Sequence, residues 1–210
     1  MPGDSPRRGS GARRRQLSTA RAEAAGCTRC DLWRQATQTV FGAGDVDAEL
    51  MLVGEQPGDS EDREGAPFVG PAGRVLEQAL ERAGLAGARR YVTNAVKHFK
   101  HEPRGKRRLH KRPNVAEMTA CRFWLEQELA AVGPALVIAL GSTAARSLLG
   151  RPVRVLAERG RWLQAPGGDV LVTVHPSSVL RAPDESSRAA AMDALVADLG
   201  VAARRLKRKR

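Results

Sequence analysis

Four short apolar runs, separated by longer segments with helical spacing, dominate the hydrophobic pattern of the chain. Each run ends near Gly, Pro or a polar residue, which is typical of a buried β-strand that leads into a loop. The predicted strands are ELMLVGE (49–55), YVTNAVK (91–97), ALVIALG (135–141) and DVLVTV (169–174).

The segments between these strands predict helices, because apolar residues recur there every three or four positions. One helix covers about 72–84 and ends at Gly84, and another begins after Asn114, a residue type preferred at the N-cap. STAARSLLG and residues 185–206 predict two more helices, and residues 153–165 an irregular region or short strand. This alternation predicts an α/β fold, a three-layer α/β/α sandwich around a central, mainly parallel four-stranded sheet.

Three of the predicted strands run directly into polar side chains. The first ends at Glu55 and Gln56, the second at Asn94 and a basic loop, and the fourth at His175. In parallel α/β folds the ligand lies beyond the carboxyl ends of the strands, so we expect these groups to meet at one edge of the sheet. The Gly/Pro-rich loop 56–71 lies at the same edge, and long loops in compact domains are usually functional.

The net charge of the chain indicates the class of partner that it binds. Lys and Arg number 35 against 23 Asp and Glu, a net charge of +12, which favours a polyanion: nucleic acid first, a membrane surface second. We expect residues 1–22 to be a disordered basic tail and residues 204–210 to be a basic C-terminal tail. Both would add non-specific affinity for phosphate. Residues 23–203 then form one domain.

Targeting signals are weak in this sequence. No segment reaches the roughly 18 to 20 apolar residues of a membrane span, and the start lacks the apolar core of a secretory signal. The start is Arg-rich and poor in acids, as in organellar transit peptides, but it has no clear amphipathic repeat. We expect a monomer that is cytoplasmic and associated with the nucleoid.

Three cysteines are too few, and odd in number, for a disulfide framework. Cys27 and Cys30 form a C-x-x-C pair, and Cys121 stands alone far along the chain. Such a pair indicates metal binding or redox chemistry, and the absence of a predicted strand before it disfavours a thioredoxin-like motif.

Three segments in order, GEQPGDSEDREGAPFVGPAGRVL, YVTNAVKH and HPSSVLR, resemble the uracil-DNA glycosylase superfamily, in particular its family-four, iron–sulfur type. The resemblance covers roughly residues 25–200. The inserted GKRRLH resembles the UdgX branch, whose members become covalently attached to uracil-containing DNA through a histidine.

This resemblance implies roles for the polar residues at the strand ends. Phe68 would stack on uracil, Asn94 would pair with its edge, and His175 would stabilise charge on its oxygen. Backbone groups at Gln56, where the family usually has a small residue, would hold a uracil carbonyl. Gly54 and Ser177 belong to the same substrate-binding set. For Glu55 and Asp59 three tasks stay open: orienting a water, stabilising the cationic sugar, or assisting a histidine.

The resemblance also implies a four-iron, four-sulfur cluster held by four ligands. The chain supplies Cys27, Cys30 and Cys121, and His98 stands where the family has its remaining cysteine. His101 is the rival for that place. Three cysteines and a histidine also suit zinc, which is the alternative metal. Either metal would have a structural role.

Residues 97–112, KHFKHEPRGKRRLHKR, hold three of the four histidines in the chain. A phosphate clamp explains the cations without any histidine. By resemblance to the UdgX branch, His110 would capture C1′ of the sugar after uracil leaves, and nearby cations would keep its imidazole neutral. The residues assigned to the clamp are Lys106, Arg107, Arg108, Lys111 and Arg112.

The predicted activity is therefore excision of uracil from DNA followed by covalent attachment, a single turnover. Single-stranded DNA is the preferred substrate, because an unpaired base costs less to extrude. The alternatives are a conventional glycosylase that turns over, with Glu55 or Asp59 positioning water, and a non-catalytic metal-bearing DNA-binding module.

Overall fold

The computed structural model describes residues 7–105 and 107–208. The strands in this part of the chain are β1 Ala43–Gly44, β2 Leu50–Gly54, β3 Arg90–Asn94, β4 His101–Arg104, β5 Arg107–His110, β6 Leu136–Leu140, β7 Trp162–Ala165 and β8 Gly168–Thr173. The helices are α1 Arg7–Ala25, α2 Asp59–Glu64, α3 Pro71–Arg82, α4 Val115–Val132, α5 Ser142–Leu149, α6 Val155–Glu158, α7 Ser177–Leu180 and α8 Glu185–Lys207, with a 3-10 turn at Asp31–Arg34.

The central sheet has the order β1-β3-β2-β6-β8-β7. Its four inner strands are the four apolar runs of the sequence, and they are parallel to one another. The prediction of four strands was wrong for the whole sheet, because β1 and β7 add antiparallel edges. These edges are short and only partly buried, so they carry no continuous apolar run.

Helices cover both faces of the sheet, which confirms the three-layer sandwich. Successive residues of a strand point to opposite faces. Leu50 and Leu52 accordingly join the core beneath α3 and α8, whereas Met51 and Val53 join the core beneath α1, α4 and α5.

The ends of the chain differ from the predicted tails. Residues 7–22 form most of α1, which buries Leu17, Ala20 and Ala24 against the core under α4. At the other end, α8 continues to Lys207, and Arg205 pairs with Asp169 at 2.6 Å. Small apolar residues in a strongly basic segment give a weak helical signal, and burial against α4 supplies the stability. Residues 1–6 and 209–210 lie outside the described residues.

The basic stretch is not an open loop but a β-hairpin of β4 and β5, in which His101 pairs with His110 in register. Gly105 has a positive φ of 58° at the turn between the two strands. The loop predicted for 56–71 contains the short helix α2. No helix in the described part of the chain is long and apolar enough to cross a membrane.

Candidate active site

A cavity of about 980 Å³ opens at the carboxyl ends of the parallel strands. The structure brings together there most of the residues assigned to the reaction from the sequence. The lining includes Glu55, Gln56, Asp59, Phe68, Asn94, His110, Arg112, His175 and Ser177.

The floor of the cavity is shaped by two glycines that allow close approach. A Cβ on Gly54 would lie 2.3 Å from Asn94 Oδ1 and 2.6 Å from the Phe68 ring. A Cβ on Gly73 would lie 1.7 Å from the Phe68 carbonyl oxygen. Phe68 itself has a positive φ of 56°, a conformation that costs free energy in a non-glycine residue and is concentrated at functional sites.

Asn94 presents an unused hydrogen-bond acceptor in this floor. Its side chain is 2% exposed, and Oδ1 has no hydrogen-bond partner in the described structure. A buried polar atom without a partner costs roughly 1–3 kcal/mol, so a site that retains one is suited to a ligand that donates a hydrogen bond.

His175 is held as a neutral imidazole. Its Nδ1 accepts the backbone N–H of Ser177 at 3.2 Å and lies 2.8 Å from the Ser177 hydroxyl, so the ring proton resides on Nε2. Burial, the Arg181 guanidinium and His110 together lower the pKa of His175 to about 4. The ring stacks near Phe68, with centroids 6.0 Å apart. His175 can therefore donate an uncharged N–H at neutral pH.

His110 lies beside a carboxylate. Its Nε2 is 3.5 Å from Glu55 Oε1, while Glu55 Oε2 accepts the Thr143 hydroxyl and lies 3.7 Å from Arg112 Nε. Burial lowers the pKa of His110, Glu55 raises it, and Arg181 lowers it further; the net direction is downward. The ring is therefore mainly neutral at neutral pH and has a nitrogen lone pair available for bonding.

Gln56 fastens the base of the hairpin that carries His110. Its Nε2 donates to the carbonyl oxygens of Lys100 and Lys111, both at 3.1 Å, and its Oε1 accepts the Lys100 N–H at 3.1 Å. Because both the Nε2 and the Oε1 of Gln56 are hydrogen-bonded to the hairpin, only the backbone of Gln56 remains available to a substrate.

Arg108 was predicted to be part of the phosphate clamp, but in the structure its guanidinium contacts other side chains of the protein. It pairs with Asp59 and, at 2.6 Å, with Asp62, donates to Thr37 Oγ1 at 3.1 Å, and lies over the Phe99 ring. Arg63 and Arg108 lower the pKa of Asp59. Of the two carboxylates left open by the sequence, Glu55 therefore faces His110, and Asp59 holds the hairpin.

Replacing Arg108 by Gln should destabilise the fold by about 3 kcal/mol, because it leaves the fully buried Asp62 without its cation. Equilibrium urea denaturation measures this change. Arg107→Gln is the matched control: the neighbouring arginine is exposed, and the expected effect is within about 0.5 kcal/mol. Equal stability of the two variants would contradict this docking role.

Of the other clamp cations within the described residues, Arg107, Lys111 and Arg112 are exposed. Lys111 pairs with Glu102 at 2.6 Å on the surface of the hairpin, and Arg112 donates to Ser142 Oγ at 2.6 Å at the rim of the cavity. Exposed ion pairs contribute little and exchange readily for phosphate. Lys106 lies outside the described residues.

Residues 41–200 match the family model described as the uracil DNA glycosylase superfamily. The chain belongs to the uracil-DNA glycosylase superfamily. The chain is 36% identical over 157 residues to the type-4 uracil-DNA glycosylase of Thermotoga maritima, covering 74% of this chain and 78% of that protein. It is 37% identical over 165 residues to the type-4 uracil-DNA glycosylase of Pyrobaculum aerophilum, covering 75% and 81%.

Of the four cluster ligands assigned from the sequence, Cys27, Cys30 and Cys121 border the same core, the one under α1 and α4. Cys27 Sγ accepts the Trp124 indole N–H at 3.0 Å, and Cys121 Sγ accepts the Lys97 backbone N–H at 3.1 Å. Such N–H groups stabilise thiolate ligands. In the described residues, no three of the His, Cys, Asp and Glu side chains converge closely enough for a single metal ion. A four-iron cluster needs no such convergence, since each ligand binds a different iron.

The hydrogen bonds around His98 fix which of its ring nitrogens carries the proton. The Thr39 hydroxyl donates to the Ala24 carbonyl oxygen at 2.8 Å, so Thr39 Oγ1 accepts the Nε2–H of His98 at 2.9 Å. Nδ1 of His98 is then unprotonated. The rival His101 stacks on Phe99 within the hairpin, with centroids 4.9 Å apart.

A buried ion pair beneath the glycosylase cavity was missed from the sequence. Lys97 and Glu128 are both fully buried and paired, and Lys97 Nζ donates to the Asn94 carbonyl oxygen at 2.7 Å. Glu128 also accepts the hydroxyls of Tyr91 and Thr93. The lysine at the end of the predicted buried strand YVTNAVK was the available signal, because a buried charge requires a partner.

Proposed function

We propose that this protein excises uracil from DNA. The observation that carries this proposal is the buried, unpartnered Oδ1 of Asn94 in the floor of the cavity. Uracil has an N–H at its pairing edge that this oxygen would accept, whereas cytosine has only an acceptor at that ring position. The Phe68 ring borders the same space and would stack on the extruded base.

The neighbouring groups match the charges that bond cleavage creates. Breaking the bond between C1′ and the base leaves positive charge on the sugar and negative charge on uracil. The neutral His175 would donate a hydrogen bond from its Nε2–H to a uracil oxygen. It would do so without placing a positive charge in the cavity. The Glu55 carboxylate would stabilise the cationic sugar.

For the fate of the sugar we propose capture by His110, as the GKRRLH insertion implies. The imidazole, 3.5 Å from Glu55, would bond to C1′ through its free nitrogen and become a cation that the carboxylate neutralises. Conventional turnover is the second candidate. It is favoured by the similarity to type-4 uracil-DNA glycosylases and uses Glu55 to orient a water.

One experiment separates these candidates. The protein is incubated with a single-stranded oligonucleotide containing one uracil, and the products are separated on a denaturing gel with and without alkali. A shifted band stable to heat and detergent supports capture, and a strand cleaved only by alkali supports turnover. If neither product forms, the remaining candidate is a non-catalytic DNA-binding module. A matching U·G duplex tests the proposed preference for single strands.

We further propose that Cys27, Cys30, Cys121 and His98 hold a four-iron, four-sulfur cluster. It would tie the segment after α1, the hairpin base and α4 together, and its contribution would be to stability. The proposed setting is a monomer that acts on DNA in the cytoplasm near the nucleoid, in keeping with the +12 net charge.

Anaerobically purified protein should be brown, with broad absorption near roughly 400 nm and about four iron atoms per chain. His98→Ala should lower both the iron content and the midpoint of thermal unfolding. His101→Ala, at the rival position, should leave the iron content unchanged. Stoichiometric zinc in a colourless protein would reject the iron–sulfur cluster in favour of the alternative metal.

A further inference from the structure

One large apolar side chain at the mouth of the cavity is unusually exposed. Leu156 on α6 lines the cavity and is 82% exposed, more than the other exposed large apolar residues of the described chain. The preceding Val155 packs against the core under α1 and α4. The helix is thus anchored by one residue and presents the next one to solvent.

Polar contacts hold α6 in place. Glu158 pairs with Arg151 at 2.9 Å and accepts the Arg154 backbone N–H at 2.9 Å. Arg159, just after the helix, pairs with Asp198 at 2.8 Å. A side chain presented by such a fixed element pays little entropy on contact with a ligand.

The surroundings of Leu156 are basic. Arg154, two residues before Leu156, is exposed, and its guanidinium makes no ion pair with the described residues. Arg112 and Arg181 line the cavity itself. An isolated apolar side chain beside these arginines suits a nucleic acid strand, in which apolar base faces lie close to phosphates.

We propose that Leu156 packs against a nucleobase next to the extruded uracil, so that α6 forms a second DNA-contacting surface at the mouth of the cavity. This inference rests on the proposed function. Extruding a base leaves its neighbours partly unstacked, and an apolar side chain compensates for the lost contact. The residue would act in DNA binding and not in the chemical step.

The test uses single-turnover kinetics on a single-stranded oligonucleotide with one uracil. Leu156→Ala should raise the protein concentration that gives the half-maximal rate roughly five- to tenfold, because it removes one side-chain contact with a base. The maximal rate should stay within about twofold of the wild-type value. Val115→Ala, at another exposed apolar residue outside the cavity, should leave both unchanged.

A second substrate isolates the contact. When both nucleotides beside uracil lack their bases, Leu156→Ala and the wild type should reach half-maximal rate at the same concentration. A persisting difference on that substrate, or none on the normal one, overturns the inference for Leu156 alone. If the wild-type protein neither releases uracil nor forms an adduct, the proposed function fails as well.

Discussion

His110→Ala should abolish the covalent adduct with uracil-containing DNA, to less than about 1% of the wild-type amount, because alanine offers no nucleophile to C1′. The His110 side chain is half exposed, so its removal should change the free energy of unfolding by no more than about 0.5 kcal/mol. Space and the Glu55 carboxylate remain for a water, so strand cleavage by alkali should appear in place of the shifted band. A denaturing gel measures both products.

The matched control is His101→Ala. His101 is the direct register partner of His110 across the hairpin, but it stacks on Phe99 and does not line the cavity. This variant should keep the adduct. An adduct that persists in His110→Ala, or a wild-type protein that only turns over, would remove His110 from the role of nucleophile.

Asn94→Asp should slow uracil release or capture on the order of 100- to 1000-fold under single-turnover conditions, comparable to the loss of one donor in a pre-organised site. The substitution keeps the size of a side chain that is only 2% exposed. It removes the N–H donor from the uracil edge and places a negative charge beside a base that becomes negative. The loss should therefore appear in the maximal rate.

Asn114→Asp is the control for the same chemical change outside the cavity. Asn114 caps α4 by accepting the Glu117 N–H, and Asp caps helices equally well. Its rate should match that of the wild type. A near-normal rate for Asn94→Asp would show that the Asn94 side chain does not contact uracil.

The His110 prediction depends on a hairpin that is docked by one of its own cations, Arg108. Sequence composition alone assigned every Lys and Arg of KRRLHKR to phosphate, but Arg108 is directed into the carboxylates of Asp59 and Asp62. Gln56 fixes the other end of the hairpin. One basic segment thus has exposed cations suited to DNA and an inward arginine that positions the histidine.

Much of the fold was predictable because its signals are local. The four apolar runs are the four inner strands, and the carboxyl-end rule for parallel sheets placed Glu55, Asn94 and His175 at one edge. The edge strand β1 and helix α1 were not predictable in this way, because contacts with distant parts of the chain stabilise both and neither has an apolar pattern of its own. The edge strand β7 lies within residues 153–165, which were predicted as an irregular region or short strand, and it pairs locally with β8.

Within the site, the resemblance of three segments to the uracil-DNA glycosylase superfamily predicted the chemistry, and their place after strand ends predicted that their polar residues would meet. The sequence pattern did not predict which carboxylate faces His110. It also did not predict that Gln56 and Arg108 hold the hairpin. Those assignments join residues such as Arg108 and Asp59 that are 49 positions apart. Such pairs form only when the sheet has brought the strand ends together, so tertiary packing alone determines them.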